Sequence, residues 1–415
     1  MSGPAATVAQ EPLDRFFLDL GRRDGDLDWQ LGALLTFPGP PPAPAEVAAH
    51  LAGRVSGAPE LTYRPAGAGR RAHWAADPDF DAARHVQVLD LPAGEGPLAD
   101  RMLTALLDRP AAAGRPLWDV WLIRGERAFG LCYRAHHGFQ DGLAAARTVE
   151  WFFGTRQRRP AAGPEGPPPA VPLGRRVAAL RHVLPLPRRP ARWSALAAPL
   201  SGRRAARTAE VALPRLYAIG RATGSGVTQV CLAAVAAMLR DGHPADFPAP
   251  ADGLSAHLGL VGRRPAETFP RLGNHAAGAP VPLPCGEPSA ARRLELLAAH
   301  TAFDQLAERA RHGGALLGLP YRLARRGLVR ALDPRFAPLA VSDVRTRGPL
   351  AFRGTAADAV HPLPVGSARA RLFVAWTAYR GRLHVTFLGD AALPGLADLP
   401  ARWHRALDAL ARAVR

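Results

Sequence analysis

The chain has 415 residues, of which 48% are hydrophobic and 21% are charged, and its formal net charge at pH 7 is +18. This balance excludes a disordered protein, and the length predicts two or three domains, or one two-lobed fold with an interior large enough for a channel. All 53 basic residues are Arg, beside 41 Gly and 42 Pro. We attribute the charge mainly to this chain-wide bias and, without a recognition motif, expect no nucleic-acid partner.

The cysteines and the N-terminus bear on the compartment. Cys132, Cys231 and Cys285 are odd in number and far apart, which argues against a disulfide framework and predicts a reducing compartment. The N-terminus lacks a basic segment followed by an apolar one, so no secretion signal is expected. No uncharged apolar run reaches about 18 residues, so no membrane span is expected. We therefore expect a cytoplasmic protein.

The first elements follow from hydrophobic periodicity. A short helix is predicted over residues 12–20, with Phe16, Phe17 and Leu20 buried. Residues 29–37 alternate as a strand with one buried face. A second helix is predicted from the four-residue spacing of Val47, Leu51 and Val55.

The segment 127–153 predicts a strand, a loop and a helix. Apolar residues alternate from Phe129 to Ala135, and the strand ends at His136 and His137. A helical face follows through Leu143, Ala146, Val149 and Phe153. The two histidines are therefore expected on a loop between a strand end and a helix start.

The later chain predicts a connector and a second lobe. Residues 156–207 are rich in Arg, Pro and Gly, which is typical of a linker. The predicted division is thus a lobe over 1–155, a linker over 156–207 and a lobe over 208–415. In the second lobe, Thr228 is the predicted N-cap of a helix, and Arg380 and Gly381 are the predicted turn of a hairpin. A last helix is predicted through Trp403, Leu407, Leu410 and Val414.

The run His136-His137-Gly138-Phe139-Gln140-Asp141-Gly142 carries the chemistry. A histidine with an ordinary pKa near ~6.5 can take and return a proton at neutral pH. A base on a loop after a strand end is exposed to a cleft, so His137 is predicted to take the proton of an attacking hydroxyl and to return it to a departing thiolate. The motif thus predicts acyl transfer.

The other motif residues have structural alternatives beside functional ones. His136 is interpreted first as a packed, hydrogen-bonded residue, and a zinc site at the pair is disfavoured because adjacent side chains diverge and no third ligand is evident. Asp141 is either the N-cap of the following helix or a residue that fixes the histidine loop through an arginine. Gly142 is expected to allow close packing.

HHGFQDG resembles the active-site signature of the superfamily that contains CoA-dependent acyltransferases and peptide-synthetase condensation domains. The PLW segment at 116–118 narrows the resemblance to the bacterial wax ester synthase/diacylglycerol acyltransferase family. Four further segments are similar in the same order, so the likeness spans nearly the whole chain. They are PLDRFFL at 12–18, APLSGRR at 198–204, LGNHAAGAPVPLP at 272–284 and GRLHVTFLGD at 381–390.

The resemblance implies an α/β (α+β) fold of two chloramphenicol-acetyltransferase-like lobes, each a mixed sheet with flanking helices, with a tunnel between them. It also implies acyl-CoA as the co-substrate, no cofactor or metal, a lipophilic alcohol or diacylglycerol as acceptor, and His137 as the catalytic histidine, with His136 and Asp141 beside it. The family's Asn-Asp pair after the linker is replaced by Thr228 and Gln229, and its Asn-containing turn by residues 341–345.

Further site candidates lie outside the catalytic trio. Gly138, Gly142, Trp118 and Asn274 are candidate substrate-binding residues, although Trp118 also suits a core and Asn274 a turn. Arg263 and Arg264 are candidates for pairing with Asp141 or a CoA phosphate, or else a solvated basic pair, and Thr228 is a structural candidate. Residues 316–332 form a basic amphipathic stretch that suits either an exposed helix or contact with the inner membrane face.

Two alternative functions remain open from the sequence. One keeps the mechanism but takes the acyl group from a carrier protein, as condensation domains do, because both donors present a thioester. The other is a catalytically degenerate binding or scaffold protein, which the Thr228 and Gln229 departures favour and the intact histidine motif opposes.

Overall fold

The computed structural model describes residues 7–23, 29–110, 113–156, 174, 191–261, 272–302, 305–306, 321–365 and 370–414. The chain divides into two compact units that are each discontinuous. The first unit comprises residues 1–167, 263–276 and 344–367, and the second comprises 168–262, 277–343 and 368–415. The predicted lobe boundaries did not anticipate that two later segments belong to the first unit. Most of the predicted linker lies outside the described residues.

The described part of the chain contains both helices and strands. The helices are α1 (Pro12–Arg23), α2 (Pro44–Val55), α3 (Leu98–Leu107), α4 (Gly142–Phe153), α5 (Leu213–Thr223), α6 (Val227–Gly242), α7 (Ala290–His300), α8 (Tyr321–Ala331) and α9 (Leu399–Ala413). The strands are β1 (Val8–Ala9), β2 (Gln30–Pro38), β3 (Tyr63–Ala66), β4 (His73–Ala76), β5 (Val86–Asp90), β6 (Trp118–Arg124), β7 (Ala128–His136), β8 (Arg204–Ala212), β9 (Leu254–Val261), β10 (Ala276–Leu283), β11 (Leu339–Asp343), β12 (Ala351–Phe352), β13 (Thr355–Ala356), β14 (Ala359–Leu363), β15 (Leu372–Tyr379) and β16 (Arg382–Asp390).

The first unit is built on a five-stranded mixed sheet in the order β14-β2-β7-β6-β5. β2 pairs antiparallel with both β7 and β14, and β5 pairs parallel with β6. A short sheet of β1, β4 and β3 accompanies it. β14 comes from late in the chain and pairs with β2, from which it is separated by more than 300 residues. A late segment thus completes the sheet that holds the histidine motif.

The second unit contains a six-stranded mixed sheet in the order β10-β9-β11-β15-β16-β8. Its apolar core joins this sheet to α6, α7 and α9, with Trp376 and Trp403 fully buried. The predicted hairpin is confirmed, since β15 and β16 pair antiparallel around Arg380 and Gly381, which both have positive φ. A two-residue turn with positive φ at both positions matches the twist of the strands it joins.

The structure corrects several sequence predictions about burial and bounds. The 29–37 strand is buried on both faces, because Leu34 is as inaccessible as Leu35 in the centre of the sheet. Leu143 is only half-buried, although Ala146, Val149 and Phe153 are in the core. α1 extends to Arg23, and α9 ends one residue before the predicted Val414.

Candidate active site

The two histidines lie at the junction of a central strand and a helix. His136 is the last residue of β7, opposite Gln30 of β2, and α4 begins at Gly142. The His137 backbone N–H donates to the Trp29 carbonyl at 2.6 Å. The turn 137–141 therefore leaves the sheet at the position predicted for it.

The His137 ring has polar contacts at Nδ1 and none at Nε2 among the described residues. It is half-buried, and the Phe17 ring of α1 packs against it at 4.3 Å between centroids. Its Nδ1 lies 3.3 Å from the Gln140 carbonyl oxygen and 3.1 Å from Nδ2 of Asn274. Among the described residues, none forms a hydrogen bond with Nε2.

Burial makes His137 neutral at physiological pH. It lowers the pKa of His137 to about 4, against the raising effects of the Gln140 carbonyl and the Asp141 charge. If the Gln140 carbonyl accepts the Nδ1 proton, Nε2 carries the lone pair that a general base needs. The arrangement can therefore take a proton from a group placed beside Nε2.

His136 has a different environment. Its Nδ1 accepts a hydrogen bond from the Gly138 backbone N–H at 3.0 Å, which places its own proton on Nε2. Burial, with the charge of His137, lowers the pKa of His136 to about 3. These contacts fit the packed, hydrogen-bonded interpretation of His136.

Asp141 bridges the helix start and a distant segment. One carboxylate oxygen accepts the Ala144 N–H at 2.8 Å, which makes Asp141 the N-cap of α4. The other accepts the His275 N–H at 3.0 Å. Arg263 and Arg264, the predicted arginine partners, lie outside the described residues.

Three consecutive backbone N–H groups fasten the segment 272–276 to the histidine turn. Gly273 donates to the Phe139 carbonyl at 2.7 Å, Asn274 to Asp14 at 2.6 Å and His275 to Asp141. Gly273 has φ +90°, and a Cβ there would lie 3.1 Å from both Asp14 carboxylate oxygens. The glycine of the GN pair is thus required by conformation and by space.

Asp14 is the functional candidate that sequence reasoning missed. It is 1% exposed, and its second oxygen accepts hydrogen bonds from the Trp74 indole and the Glu11 backbone, both at 3.0 Å. Burial raises the pKa of Asp14 to about 7 although three N–H donors lower it. The only sequence signal was an acidic residue among α1 positions that face the core.

The remaining motif side chain, Gln140, is locked by a buried polar network. Its amide oxygen accepts from the Tyr133 hydroxyl at 2.7 Å, and its amide nitrogen donates to Thr148 at 2.9 Å. All three side chains are fully buried. This network fixes the backbone that presents the Gln140 carbonyl to His137.

Other predicted site residues fall into different places. Trp118 is fully buried, donates its indole N–H to the Leu61 carbonyl at 2.7 Å and stacks on His85 at 4.1 Å, so its contacts are those of a core residue. A Cβ at Gly138 would lie 2.9 Å from the Asp14 carbonyl oxygen, and one at Gly142 would lie 3.3 Å from Val344. Both glycines therefore allow close packing.

The predicted N-cap at Thr228 is wrong, because α6 begins after Gly226, whose N–H donates to the Gln229 side chain at 2.7 Å. The Thr228 hydroxyl instead donates to the Asp343 carboxylate at 2.6 Å. Thr228 and the segment 341–345, the two places where the sequence departs from the family pattern, are thus in direct contact.

Among the residues that the structure describes, no group of three His, Cys, Asp or Glu side chains is arranged to hold a metal ion.

Comparisons with known proteins bear on the family and the fold. Residues 11–186 match the family model described as the wax ester synthase/diacylglycerol acyltransferase catalytic domain. A Mycobacterium tuberculosis protein named as a probable diacylglycerol O-acyltransferase is 33% identical over 144 residues, which are 33% of this chain and 31% of that protein. The chain therefore matches about a third of the length of that relative.

Similarity at lower identity extends over the whole chain. Another M. tuberculosis protein with a diacylglycerol O-acyltransferase name is 24% identical over 91% of this chain and 93% of its own length. The structure resembles the wax ester synthase/diacylglycerol acyltransferase of Marinobacter aquaeolei, with a TM-score of 0.64, 21% identity and coverage of 98% and 100% of the two chains.

It also resembles the first condensation domain of the calcium-dependent antibiotic synthetase, with a TM-score of 0.70, 18% identity and coverage of 99% and 97% of the two chains. At these identities the structural likenesses show the fold, and they confirm the predicted fold class. The family resemblance predicted from the sequence is also confirmed, since residues 11–186 match the catalytic-domain model of the wax ester synthase/diacylglycerol acyltransferase family.

Proposed function

We propose that this chain is an acyl-CoA-dependent O-acyltransferase that esterifies a lipophilic alcohol or diacylglycerol, with His137 as the general base. The observation that carries the proposal is the His137 ring, whose Nδ1 is held while Nε2 has no partner among the described residues. The matched catalytic domain and the names of the similar proteins support the reaction class. No cofactor is required, because acyl-CoA is itself a substrate.

In the proposed reaction, the acceptor oxygen attacks the thioester carbonyl carbon while Nε2 of His137 takes the hydroxyl proton. The carbon–sulfur bond of the tetrahedral intermediate then breaks, and the departing thiolate receives that proton. The products are an ester and the free thiol of CoA. A positioned base contributes about 10²- to 10⁴-fold, so the orientation of the two substrates supplies much of the remaining rate.

A thiol-release assay with purified protein tests the proposal. Long-chain acyl-CoA is supplied with a panel of alcohols, diacylglycerol and amines, and the product mass is measured. We expect free CoA and ester in equal amounts from an alcohol or diacylglycerol, and about a 10²- to 10⁴-fold lower turnover for His137→Ala. Unchanged turnover in that variant would contradict the proposal.

The same assay separates the donor classes. Turnover with an acyl group on a carrier protein, and none with acyl-CoA, would support the condensation-type alternative instead. No thiol release with any acceptor would support a binding protein. His50→Ala is a suitable control, because this histidine lies in the same unit and bonds the Phe152 carbonyl rather than the histidine turn.

We further propose a cytoplasmic location with a peripheral contact at a membrane face through α8. Leu323 is 52% exposed there, beside exposed Arg322, Arg326 and Arg330, a combination that suits an anionic lipid surface. Within the described residues no single helix is long and apolar enough to cross a membrane, and only the bent pair α5 and α6, at 95°, meets that criterion together. Salt-sensitive binding to anionic vesicles, lost in Leu323→Ser, tests the contact.

A further inference from the structure

We propose that Asn274 and Asp14 are positioning residues for His137: Asp14 holds the backbone of Asn274, and the Asn274 amide holds the His137 carbonyl and faces Nδ1 of the imidazole ring. The inference rests on the proposed function, because it assigns these residues to the base of that reaction. Neither residue belongs to the histidine motif. Asn274 lies 137 positions after His137, and Asp14 lies in the first turn of α1.

The hydrogen bonds of Asn274 fix which end of its amide faces the histidine. Its side-chain oxygen accepts the Ala276 N–H at 3.0 Å, and Nδ2 donates to the His137 carbonyl at 2.7 Å. Rotating the amide by half a turn would set two oxygens against each other and two N–H groups against each other. Nδ2 therefore faces Nδ1 of the imidazole, 3.1 Å away.

Two opposing contacts meet at Nδ1 of His137. The Gln140 carbonyl oxygen favours a proton on Nδ1, whereas the N–H of Asn274 favours a bare nitrogen. A ring that already carries the Nδ1 proton and gains a second one at Nε2 would still face the Asn274 donor. Asn274 therefore opposes a lasting imidazolium and favours release of the proton to the leaving thiolate.

Asp14 anchors Asn274 through one defined oxygen. Oδ1 accepts the Asn274 N–H, while Oδ2 accepts from Trp74 and Glu11. In Asp14→Asn, the single amide oxygen satisfies most donors when it takes the Oδ2 place, which turns the NH₂ group against the Asn274 N–H. This variant thus breaks the anchor to Asn274 while keeping the size of the side chain.

Trp74→Phe is the matched control, because it removes one bond to Oδ2 and leaves the bond from Asn274 to Oδ1 intact. Gly273→Ala perturbs the same contact between Asp14 and Asn274 in a second way, because its Cβ would lie 3.1 Å from both Asp14 carboxylate oxygens. It keeps the proposal testable should Asp14→Asn fold poorly.

The readout is ¹⁵N NMR of protein labelled at its 14 histidines, with the His137 signals assigned from their loss in His137→Gln. We expect Asn274→Ala to move both ring-nitrogen signals and to raise the pH at which they titrate. Asp14→Asn and Gly273→Ala should shift them in the same direction by less, and Trp74→Phe should leave them in place. His136 and Asp141 are the titratable groups that interact with His137, and none of these variants replaces either of them.

The kinetic arm separates positioning from folding. Because a misplaced reacting group costs up to about 10²-fold, we expect Asn274→Ala to lower kcat about 10- to 100-fold with the KM for acyl-CoA within about twofold. Asp14→Asn should show a smaller loss in kcat, and Trp74→Phe should keep kcat near the wild-type value.

The proposal is overturned if His137 titrates as in the wild type in both Asn274→Ala and Asp14→Asn. It is also overturned if Trp74→Phe moves the His137 signals as far as Asp14→Asn does, since the cause would then be general loosening around α1. A wild-type protein that releases no CoA contradicts the proposed function alone. The NMR comparison still decides the positioning role in that case.

Discussion

The histidine turn of the first unit and the start of α6 in the second unit cap their helices in different ways. Each is a helix start whose leading N–H groups need partners. At the turn, the buried carboxylate of Asp141 caps α4 and also holds His275. At α6, the cap residue is Gly226, and the Gln229 side chain satisfies its N–H at an exposed position.

The difference shows where this chain uses buried polar groups. Around the turn, side chains such as Asp14, Gln140 and Asn274 are at most 1% exposed and have fixed partners. At α6, the bond between Thr228 and Asp343 joins two half-buried side chains. Since a buried polar group costs more to leave unpaired than an exposed one, substitutions near the turn should be costlier.

The largest difference is expected for ion pairs. Arg134 and Asp119 of the first unit are each 2% exposed and joined by two bonds of 2.8 and 3.0 Å. Asp119→Ala leaves a buried guanidinium without this partner, and we expect about 3–5 kcal/mol lower stability. The half-buried pair of Arg215 and Asp408 in the second unit, with side chains 35% and 48% exposed, is the control, with about 0–1 kcal/mol for Asp408→Ala. Equal losses in urea titrations would contradict the comparison.

Acid should destabilise the first unit through its buried histidines. Burial lowers the pKa of His85 and His137 to about 4 and that of His136 to about 3. The unfolded chain therefore binds protons that the folded unit does not, so stability falls as the pH falls from about 6.5 toward 4. The pKa of Asp14 is raised from 3.8 to about 7, so Asp14 affects stability in the opposite direction. Its contribution falls as the pH rises from 3.8 to about 7.

Urea midpoints measured from pH 7 to pH 4 test this expectation. His85→Phe removes one of the three groups and should flatten the slope against pH. A slope unchanged in that variant, or a midpoint that rises on acidification, would contradict the assigned direction.

A smaller difference is expected for helix caps. Asp141→Ala removes both the cap of α4 and the bond to His275, and we expect about 1–2 kcal/mol lower stability with reduced turnover. Ser289→Ala removes only the cap of α7, where the Ser289 hydroxyl accepts the Arg292 N–H at 3.3 Å. About 1 kcal/mol or less is expected there, with normal turnover. A Ser289→Ala loss equal to that of Asp141→Ala would show that the second bond adds nothing.

A smaller effect than that of Asp141→Ala is expected at α6. Thr228→Val keeps the shape of the side chain and removes only the hydroxyl that bonds Asp343. We expect about 0.5–1.5 kcal/mol lower stability, measured by urea titration. A loss above about 3 kcal/mol would place this pair with the buried Arg134 and Asp119 pair and would contradict the comparison.

Local pattern predicted the elements that carry the site. The strand that ends at His136 and the helix after Asp141 follow from alternation and from a capping residue, both properties of neighbours along the chain. The sequence alone does not decide whether Trp118 belongs to the core, because an aromatic residue next to a motif suits either a core or a substrate wall. Thr228 was misplaced by two residues because Gly226 and Gln229 together form the cap that a threonine normally provides.

The sequence by itself predicted the reaction class, since HHGFQDG, PLW and the later segments resemble the family and make His137 the candidate base. It also offered Asp141 as the cap of α4, one of the two roles that the pattern left open. Only the tertiary structure decided what holds the histidine: Asp14 and Asn274 are 260 positions apart, and β14 closes the sheet from the far end of the chain. Contacts between residues so far apart produce no periodic pattern in the sequence, because they depend on where the folded backbone brings two buried polar groups together.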